Sequence, residues 1–321
     1  MSQYSVVLLV EVMDVSGEAM KLLRQHLNEY GDNRSNRYLM KPSESLGPEG
    51  HKEKFVYFYR KKEVKILDSY QYGDIDEEDE DDDEDEDDED DEDDEDDGDD
   101  EDDDDDDDED VISRQPFVVR LNCRNTVAQN LVLIPVHTAP NNAEAELNAL
   151  HDVVEDVKEK WPNDNIMILG DFNADGDYLS MEQKRTLCIS SAHYHWLIDD
   201  NVKTTTCNNN DYTYDRIVVY GERMLEAIVP NSAIAYNFKR ELNLTQEEAL
   251  SVSDHYPVEV ELEEKQEVEP EVEQMEEQMR KLKLKQKAQR KRNPEKPSTG
   301  GRPQGAQKKK IGPAATKGKG V

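Results

Sequence analysis

The chain has 321 residues, of which 35% are hydrophobic and 36% are charged, so only part of it can pack into a hydrophobic core. Its formal net charge of −38 is concentrated locally, because residues 74–110 hold 35 of the 77 acidic residues and residues 280–321 hold 15 of the 39 basic residues. The rest is moderately acidic, which excludes a uniformly basic protein that coats nucleic acid. No apolar run approaches the roughly 20 residues of a membrane span, and the run 6–10 is too short for a signal peptide.

The composition divides the chain into four segments. Residues 1–73 and 111–263 have the apolar patterning of a globular domain, and we interpret them as its first and second parts. Between them, 35 of the 37 residues in 74–110 are Asp or Glu, which predicts an extended, disordered loop. A long surface loop adds little closure entropy, so one domain can carry such an insertion. Residues 264–321 are predicted to be a charged, mostly disordered tail with basic clusters.

The first part predicts strands and a helix. Residues 6–10 form a continuous apolar run, which indicates a buried strand. Apolar residues then recur at helical spacing between 19 and 27, and Ser16 is a suitable N-cap for that helix. Residues 55–59 and 64–70 are rich in aromatic and aliphatic side chains and are separated by a short charged connection, which predicts a hairpin.

The pattern of residues 111–263 predicts five strands and one long helix. Residues 143–161 place apolar side chains on one face, which is typical of an amphipathic helix. Many strands and few helices predict an α/β fold with two packed, mainly antiparallel β-sheets flanked by helices. The predicted strands span residues 117–121, 131–138, 165–170, 216–220 and 257–262.

Polar side chains that suit hydrolytic chemistry stand at the ends of several predicted strands. Asp171 and Asn173 follow an apolar strand, and their oxygens suit a hard cation or a phosphate, although a polar Asx turn is an alternative interpretation. His137 ends another strand, and His255 precedes one. A single histidine at such a position is more often structural, but two of them with strand-end carboxylates favour acid–base catalysis. This set suits metal-assisted hydrolysis of a phosphodiester, which needs a base, an acid and positive charge on the phosphate.

These motifs in combination resemble the deoxyribonuclease I family of the endonuclease/exonuclease/phosphatase superfamily. The resemblance rests on residues 169–175, 214–219 and 253–258, and it extends over nearly all of 1–73 and 111–263. It implies a four-layer sandwich and a metal-dependent endonuclease that cleaves DNA to 5′-phosphate and 3′-hydroxyl ends. It also implies Mg²⁺ or Mn²⁺ at the active site and a structural Ca²⁺.

The resemblance assigns a role to each matching position. His137 would be the general acid, held by Glu53, and His255 would be the general base, held by Asp215. By the same resemblance, Glu11 and Asp254 would lie at the catalytic metal, and Asp171 and Asn173 would contact the scissile phosphate or the metal. Arg114 and Tyr214 would contact the DNA backbone.

The chain departs from the family pattern at several places. Family members carry a further strand with a metal-site Asn before the segment that matches residues 6–10, so we expect this sequence to be truncated at its N-terminus. Met13 and His51 stand where the family has an Arg and a Tyr that contact DNA, which predicts weaker DNA binding. Gly176 occupies one half of the family's long-range disulfide and Cys207 is displaced, so we expect free thiols, with one disulfide as the alternative in a secreted protein.

The acidic segment 74–110 supports more than one interpretation. It would repel or mimic DNA near the site, or bind histones or other basic proteins through charge, whereas a solvated insertion without a specific role is the plainer alternative. The alternative function is therefore a catalytically dead nuclease fold that binds histones or other basic partners through this segment.

The basic clusters 280–292 and 308–310 predict nuclear localisation or DNA tethering, with a solubilising tail as the alternative. Secretion is the alternative if the N-terminus is incomplete. We expect a monomer that binds DNA and no membrane.

Overall fold

The computed structural model describes residues 1–73 and 111–265, together with residues 281 and 283. The predicted disordered acidic loop at 74–110, and with it the predicted binding of histones, lies outside the described residues. Nearly all of the predicted tail lies outside them as well. The described residues up to Lys265 belong to one compact unit.

The described part of the chain contains eleven strands, which form a six-stranded, a three-stranded and a two-stranded sheet. They are β1 (Val6–Val12), β2 (Tyr38–Pro42), β3 (Lys54–Arg60), β4 (Val64–Gln71), β5 (Phe117–Cys123), β6 (Asn130–His137), β7 (Ile166–Asp171), β8 (Tyr194–Trp196), β9 (Asp215–Tyr220), β10 (Ile234–Ala235) and β11 (Val258–Glu259).

The strand pairing is mainly antiparallel, as predicted. The six-stranded sheet has the order β4-β5-β6-β7-β9-β8, the three-stranded sheet has the order β1-β3-β2, and β10 pairs with β11. The one parallel pair among these sheets of the described residues is β6–β7. A parallel pair needs a long crossover, and the longest helix of the described chain supplies it between these two strands.

Six α-helices accompany the strands in the described residues. None of them combines the length and the apolar composition needed to cross a membrane. They are α1 (Glu18–Glu29), α2 (Ala143–Lys160), α3 (Met181–Thr186), α4 (Glu222–Glu226), α5 (Phe238–Glu241) and α6 (Gln246–Val252).

The sheets and helices form four layers, which confirms the predicted sandwich. Along β3, Phe55 and Tyr57 belong to the core between the two larger sheets, whereas Val56 and Phe58 pack with Leu27 of α1. This alternation is expected of a strand buried on both faces. On the far side, the apolar face of α2 packs against the six-stranded sheet. The helix face consists of Leu147, Leu150, Val153, Val154 and Val157.

The predicted hairpin of residues 55–59 and 64–70 is wrong. Strand β3 pairs with β1 and β2, whereas β4 pairs with β5 in the other large sheet. The chain therefore crosses from one sheet to the other at 61–63. Apolar patterning indicates that each segment is buried, but it does not identify the strand that each one pairs with.

Two details at the N-terminus also differ from expectation. Helix α1 begins at Glu18 after Gly17, whose φ is +70°, so Ser16 is not its N-cap. Asp14 accepts a hydrogen bond from the Met20 amide at 3.0 Å, and the Ser16 hydroxyl accepts one from the Glu18 amide at 3.2 Å. Strand β1 is at an edge of the three-stranded sheet in the described chain, so its residues 6–10 are half-buried rather than buried.

Candidate active site

Three neighbouring strands of the six-stranded sheet bring His137, Asp171 and Asp215 into one row. His137 is paired with Asp171 across the parallel β6–β7 pair, and Asp171 is paired with Asp215 across the antiparallel β7–β9 pair. Side chains at paired positions point to the same face of a sheet. The two aspartates are each 8% exposed, so two carboxylates are buried side by side at this end of the sheet.

The row depends on a close approach of β6 and β7 at Gly170. Its φ is +142°, a conformation that residues with a side chain rarely adopt. A Cβ atom at this position would lie 2.0 Å from the carbonyl oxygen of Val136. The glycine before Asp171 therefore allows the two strands to pair at this point.

His255 joins the row from the segment that follows α6. A backbone bridge to Thr205 holds this segment, and the Nδ1 atom of His255 lies 2.7 Å from the Oδ2 atom of Asp215. Burial opposes protonation of His255, but its hydrogen bond to Asp215 and the charges of Asp215, Asp171 and Asp254 outweigh that effect and raise its pKa to about 9. This histidine is therefore protonated at neutral pH when no cation offsets the carboxylates.

His137 has a carboxylate partner of its own, which comes from the other large sheet. Its Nδ1 atom contacts Oε1 of Glu53, the residue that precedes β3. The second oxygen of Glu53 forms an ion pair with the Arg114 guanidinium, with Oε2 and Nε 2.9 Å apart. Glu53 is 5% exposed, so this three-residue group is well shielded.

Asn173 and Asp171 form a tight turn after β7. The Asn173 amide donates to Oδ1 of Asp171 at 2.9 Å, which is the bond of an Asx turn, and the φ of Asn173 is +46°. The side-chain amide of Asn173 donates to the carbonyl of Thr138 at 3.0 Å. The Asx turn is therefore real, and it leaves Oδ2 of Asp171 for another role.

Tyr214 lies beside His255, with a ring-centroid distance of 6.1 Å and an angle of 29° between the ring planes. By contrast, Glu11 and Asp254 are exposed. Neither belongs to the cluster of possible metal ligands that Asp171, Asp215 and His255 form. Glu11 lies at an irregularity between Leu9 and Val12 of β1 and has a φ of +55°. The metal roles of Glu11 and Asp254 and the DNA role of Tyr214 stay predictions.

The chemistry of the row fits a divalent cation. One ligand atom from each of Asp171, Asp215 and His255 lies within 4.8 Å of the others. Burial, together with the charge of Asp215, raises the pKa of Asp171 to about 6, so the two carboxylates repel one another without a cation. No second group of this kind is found in the described residues, and the predicted structural Ca²⁺ therefore has no assigned ligands.

Two buried polar residues that organise this region were not predicted from the sequence. The Thr204 hydroxyl accepts hydrogen bonds from the backbone amides of Tyr214 and Asp215 at 3.0 and 3.2 Å. Arg216 is 1% exposed and donates to the carbonyl oxygens of Thr213, Ile198 and Ala174 and to the Asp200 carboxylate. An arginine inside an apolar strand was the available signal, because buried arginines need several partners.

The three cysteines are unpaired in the structure. Cys123 is buried, Cys188 is exposed and Cys207 is half-buried. Burial raises the pKa of the Cys123 thiol to about 12, so it is not a nucleophile at neutral pH. Gly176 stands where the resemblance places one cysteine of the family's long-range disulfide, and it packs against the ring of Tyr212.

Residues 1–255 match the Endonuclease/Exonuclease/phosphatase family. Deoxyribonuclease-1-like 1 from Cricetulus griseus is 36% identical over 266 residues, which cover 82% of this chain and 74% of that protein. Deoxyribonuclease-1-like 2 from Mus musculus is 35% identical over 258 residues, which cover 80% of each chain. Among solved structures, an endonuclease/exonuclease/phosphatase family protein from Leptotrichia buccalis is 17% identical, with a TM-score of 0.49 over 81% of this chain and 88% of the other.

Proposed function

Because the chain belongs to the endonuclease/exonuclease/phosphatase family, within its deoxyribonuclease I branch, we propose that it is a metal-dependent endonuclease that hydrolyses DNA phosphodiester bonds. The observation that carries the proposal is the presence of two histidines at one end of the sheet, each with a carboxylate at its Nδ1 atom. Glu53 contacts His137, and Asp215 bonds to His255. Such pairs fix the tautomer and orientation of an imidazole and leave its Nε2 atom for proton transfer.

We assign the base role to His255. Its Nδ1–H donates to Asp215, so a neutral His255 presents an unprotonated Nε2 that can accept a proton from water. The water oxygen forms the new bond to phosphorus as that proton moves to the ring. Asp215 then stabilises the resulting imidazolium through the same hydrogen bond.

We assign the acid role to His137. Its Nδ1 faces Glu53, so a protonated His137 carries its transferable proton on Nε2. That proton passes to the 3′ oxygen as the bond between this oxygen and phosphorus breaks. The products then carry 5′-phosphate and 3′-hydroxyl ends, and the proton taken by His255 balances the proton given by His137.

Asp171 and Asp215 would hold Mg²⁺ or Mn²⁺, since they are two buried carboxylates at paired positions. When bound, the cation supplies positive charge that stabilises the phosphate oxygens and offsets the two carboxylates. Without a cation, the negative charges of these carboxylates favour the protonated form of His255. We therefore expect the pKa of His255 to fall when a cation binds to the carboxylates.

The test is nicking of supercoiled plasmid by the purified full chain with Mg²⁺ and Ca²⁺. The variants His137→Ala and His255→Ala are compared with the unmodified chain, and EDTA provides the metal-free condition. His26→Ala is the matched control, since His26 is exposed on α1. We expect each active-site variant to lose about 100-fold or more in rate, and the control to lose nothing.

Retention of nicking by either active-site variant would refute its assigned role. Equal nicking in excess EDTA would refute the metal requirement. Absence of nicking by the unmodified, folded chain under all conditions would refute the proposed activity of this chain.

A further inference from the structure

Three tyrosines form a contiguous aromatic group next to His255. Tyr214 lies between two other rings, with its centroid 5.5 Å from that of Tyr178 and 5.2 Å from that of Tyr212. The ring planes are tilted by 36° and 39°, so the rings fan out rather than cover one another face to face. Tyr178 is 39% exposed, and Tyr212 and Tyr214 are half-buried. We call Tyr178, Tyr212 and Tyr214 the tyrosine fan.

We propose that the tyrosine fan is a stacking site for an unpaired nucleobase of the DNA strand bound at the active site. The inference rests on the proposed function and adds a substrate preference to it. Aromatic side chains bind single strands by stacking on bases, and any base can use such a surface because each has a π face. In a paired duplex the base faces are covered by their neighbours, so the fan favours nicked, frayed or single-stranded DNA.

The position of Tyr212 depends on a glycine. Gly176 has a φ of +63°, and a Cβ atom there would lie 3.0 Å from two carbons of the Tyr212 ring. A glycine therefore lets this ring lie against the backbone of the loop after β7. The Tyr212 carbonyl also accepts a hydrogen bond from the Thr204 amide at 3.0 Å, which ties the ring's own segment to a buried residue. The fan is thus held in place rather than loosely attached.

The charges around the fan favour a base over a phosphate as its ligand. The two short segments that carry the tyrosines, 174–178 and 211–214, contain three aspartates and no lysine or arginine. The nearby Lys203 ammonium lies 3.0 Å from the Asp211 carboxylate, so these two charges offset one another and two aspartates keep the surroundings negative. Negative surroundings repel a phosphate but not the uncharged face of a base. The aspartates are Asp175, Asp177 and Asp211.

The geometry also connects the fan to the reaction. Tyr214 faces His255 at 6.1 Å, so a base on the fan would lie within a nucleotide or so of the water-activating histidine. Stacking there would orient the sugar–phosphate backbone next to the cleaved bond. We therefore expect the fan to contribute to the binding of the strand rather than to proton transfer.

The experiment measures binding without turnover. The full chain with His137→Ala, a residue that no ring of the fan contacts, is titrated with a fluorescent oligothymidylate of about 12 nucleotides and with a duplex of the same length. Tyr212→Ala, Tyr212→Leu and Tyr212→Phe are compared in this background. The control is Tyr30→Ala, an exposed tyrosine after α1. A 2-aminopurine base in the single strand reports stacking directly by its fluorescence quenching.

We expect Tyr212→Ala and Tyr212→Leu to weaken single-strand binding about tenfold and to reduce quenching, and to change duplex binding less than about twofold. Tyr212→Phe and Tyr30→Ala should bind as the parent does. Tyr212→Leu keeps a bulky side chain over Gly176 but removes the aromatic ring. Its comparison with Tyr212→Phe therefore tests the need for an aromatic ring even if the alanine variant is unstable.

Single-strand binding by Tyr212→Leu equal to that of Tyr212→Phe would overturn the proposal. Equal losses for single strand and duplex would overturn it too. This experiment measures binding and not cleavage. A chain that does not nick plasmid can therefore still show the expected single-strand binding, and a chain that nicks plasmid can still lack it.

Discussion

His137 and Asp171 occupy paired positions on the two parallel strands β6 and β7. The predicted acid and the candidate metal ligand are therefore held in relation to one another by backbone hydrogen bonds, not by side-chain contacts alone. The carboxylate that orients His137 comes from Glu53, next to β3 of the other sheet, so the acid side of the site requires both sheets to be packed together. Changes that separate β6 from β7, or one sheet from the other, should impair catalysis without altering a reacting group.

Asp171→Asn should have opposite effects on stability in the absence and presence of a metal. The folded-state pKa of Asp171 is raised to about 6 from an ordinary 3.8, so the stability that its protonated form provides is complete below pH 4 and is lost as the pH rises through 6. At pH 7 without metal, a neutral amide should raise the free energy of unfolding by about 1–2 kcal/mol. Thermal unfolding in EDTA measures this gain.

Excess Mg²⁺ should raise the unfolding temperature of the unmodified chain but not that of Asp171→Asn, because the variant lacks one of the two carboxylate ligands. Asp177→Asn is the control, as it removes an exposed charge from the same loop. A variant that is less stable than the parent in EDTA would contradict the predicted gain in stability, and a variant that Mg²⁺ stabilises as much as the parent would contradict the assignment of Asp171 to the metal.

Gly170→Ala should be strongly destabilising. A Cβ atom would lie 2.0 Å from the Val136 carbonyl oxygen, so β6 and β7 must separate at the position next to His137 and Asp171. We expect a loss of at least about 3 kcal/mol in the free energy of unfolding, measured with urea.

Gly17→Ala is the matched control for this substitution. Gly17 has a φ of +70° and a ψ of 6°, the left-handed α conformation, and no atom lies within 4 Å of the added Cβ, so only backbone strain of about 1 kcal/mol is expected. If the two variants were equally stable, the close approach of β6 and β7 could not be the reason for the glycine.

The long elements could be predicted from the sequence because their apolar patterns are long. The predicted helix 143–161 corresponds to α2 (Ala143–Lys160), and the predicted strand 165–170 corresponds to β7 (Ile166–Asp171). The three-residue β8 and the two-residue β10 were not predicted, since such short segments show no period. The wrong hairpin has another cause: partners in a sheet are set by packing across the whole domain, which local patterning does not contain.

The candidate site could be predicted only in part, and mainly through family resemblance. His255 and Asp215 are 40 residues apart, and no spacing rule relates them, yet they bond at 2.7 Å. Thr204, whose hydroxyl holds the backbone at Asp215, was missed because a threonine among three consecutive threonines carries no distinctive pattern. Its role follows from the folded chain alone, where its side chain is buried and must find polar partners.

Glu53→Gln should separate the chemical step from binding. Glutamine retains the size of the side chain but removes the charge that stabilises a protonated His137. We expect kcat for DNA hydrolysis to fall about 100-fold and KM to stay within about threefold, with the rate followed by hyperchromicity. Glu49→Gln, in the exposed loop before β3, is the control. An unchanged kcat would mean that Glu53 does not support the acid.

Glu146→Gln should increase stability in a pH-dependent way. Glu146 lies on α2 and is 1% exposed, and its Oε1 accepts hydrogen bonds from the Ser113 hydroxyl and the Ala139 amide. Its Oε2 has no hydrogen-bond partner in the described residues. Burial raises the pKa of this carboxyl above its ordinary 4.5, so the neutral form is the one that the fold favours. The stability provided by that form is complete below the ordinary pKa and is lost as the pH rises through the folded-state value.

At pH 7 the variant should therefore unfold with a free energy about 1 kcal/mol higher than that of the parent, because an uncharged amide replaces a buried carboxylate of which one oxygen has no hydrogen-bond partner in the described residues. Urea unfolding from pH 7 down to pH 4 should show this difference shrinking as Glu146 of the parent becomes protonated. Glu159→Gln makes the same change at an exposed position of α2 and should stay within about 0.5 kcal/mol of the parent at every pH. A Glu146→Gln variant that is less stable than the parent at pH 7 would show instead that the charge of Glu146 is compensated, with the nearby Arg114 guanidinium as the obvious partner.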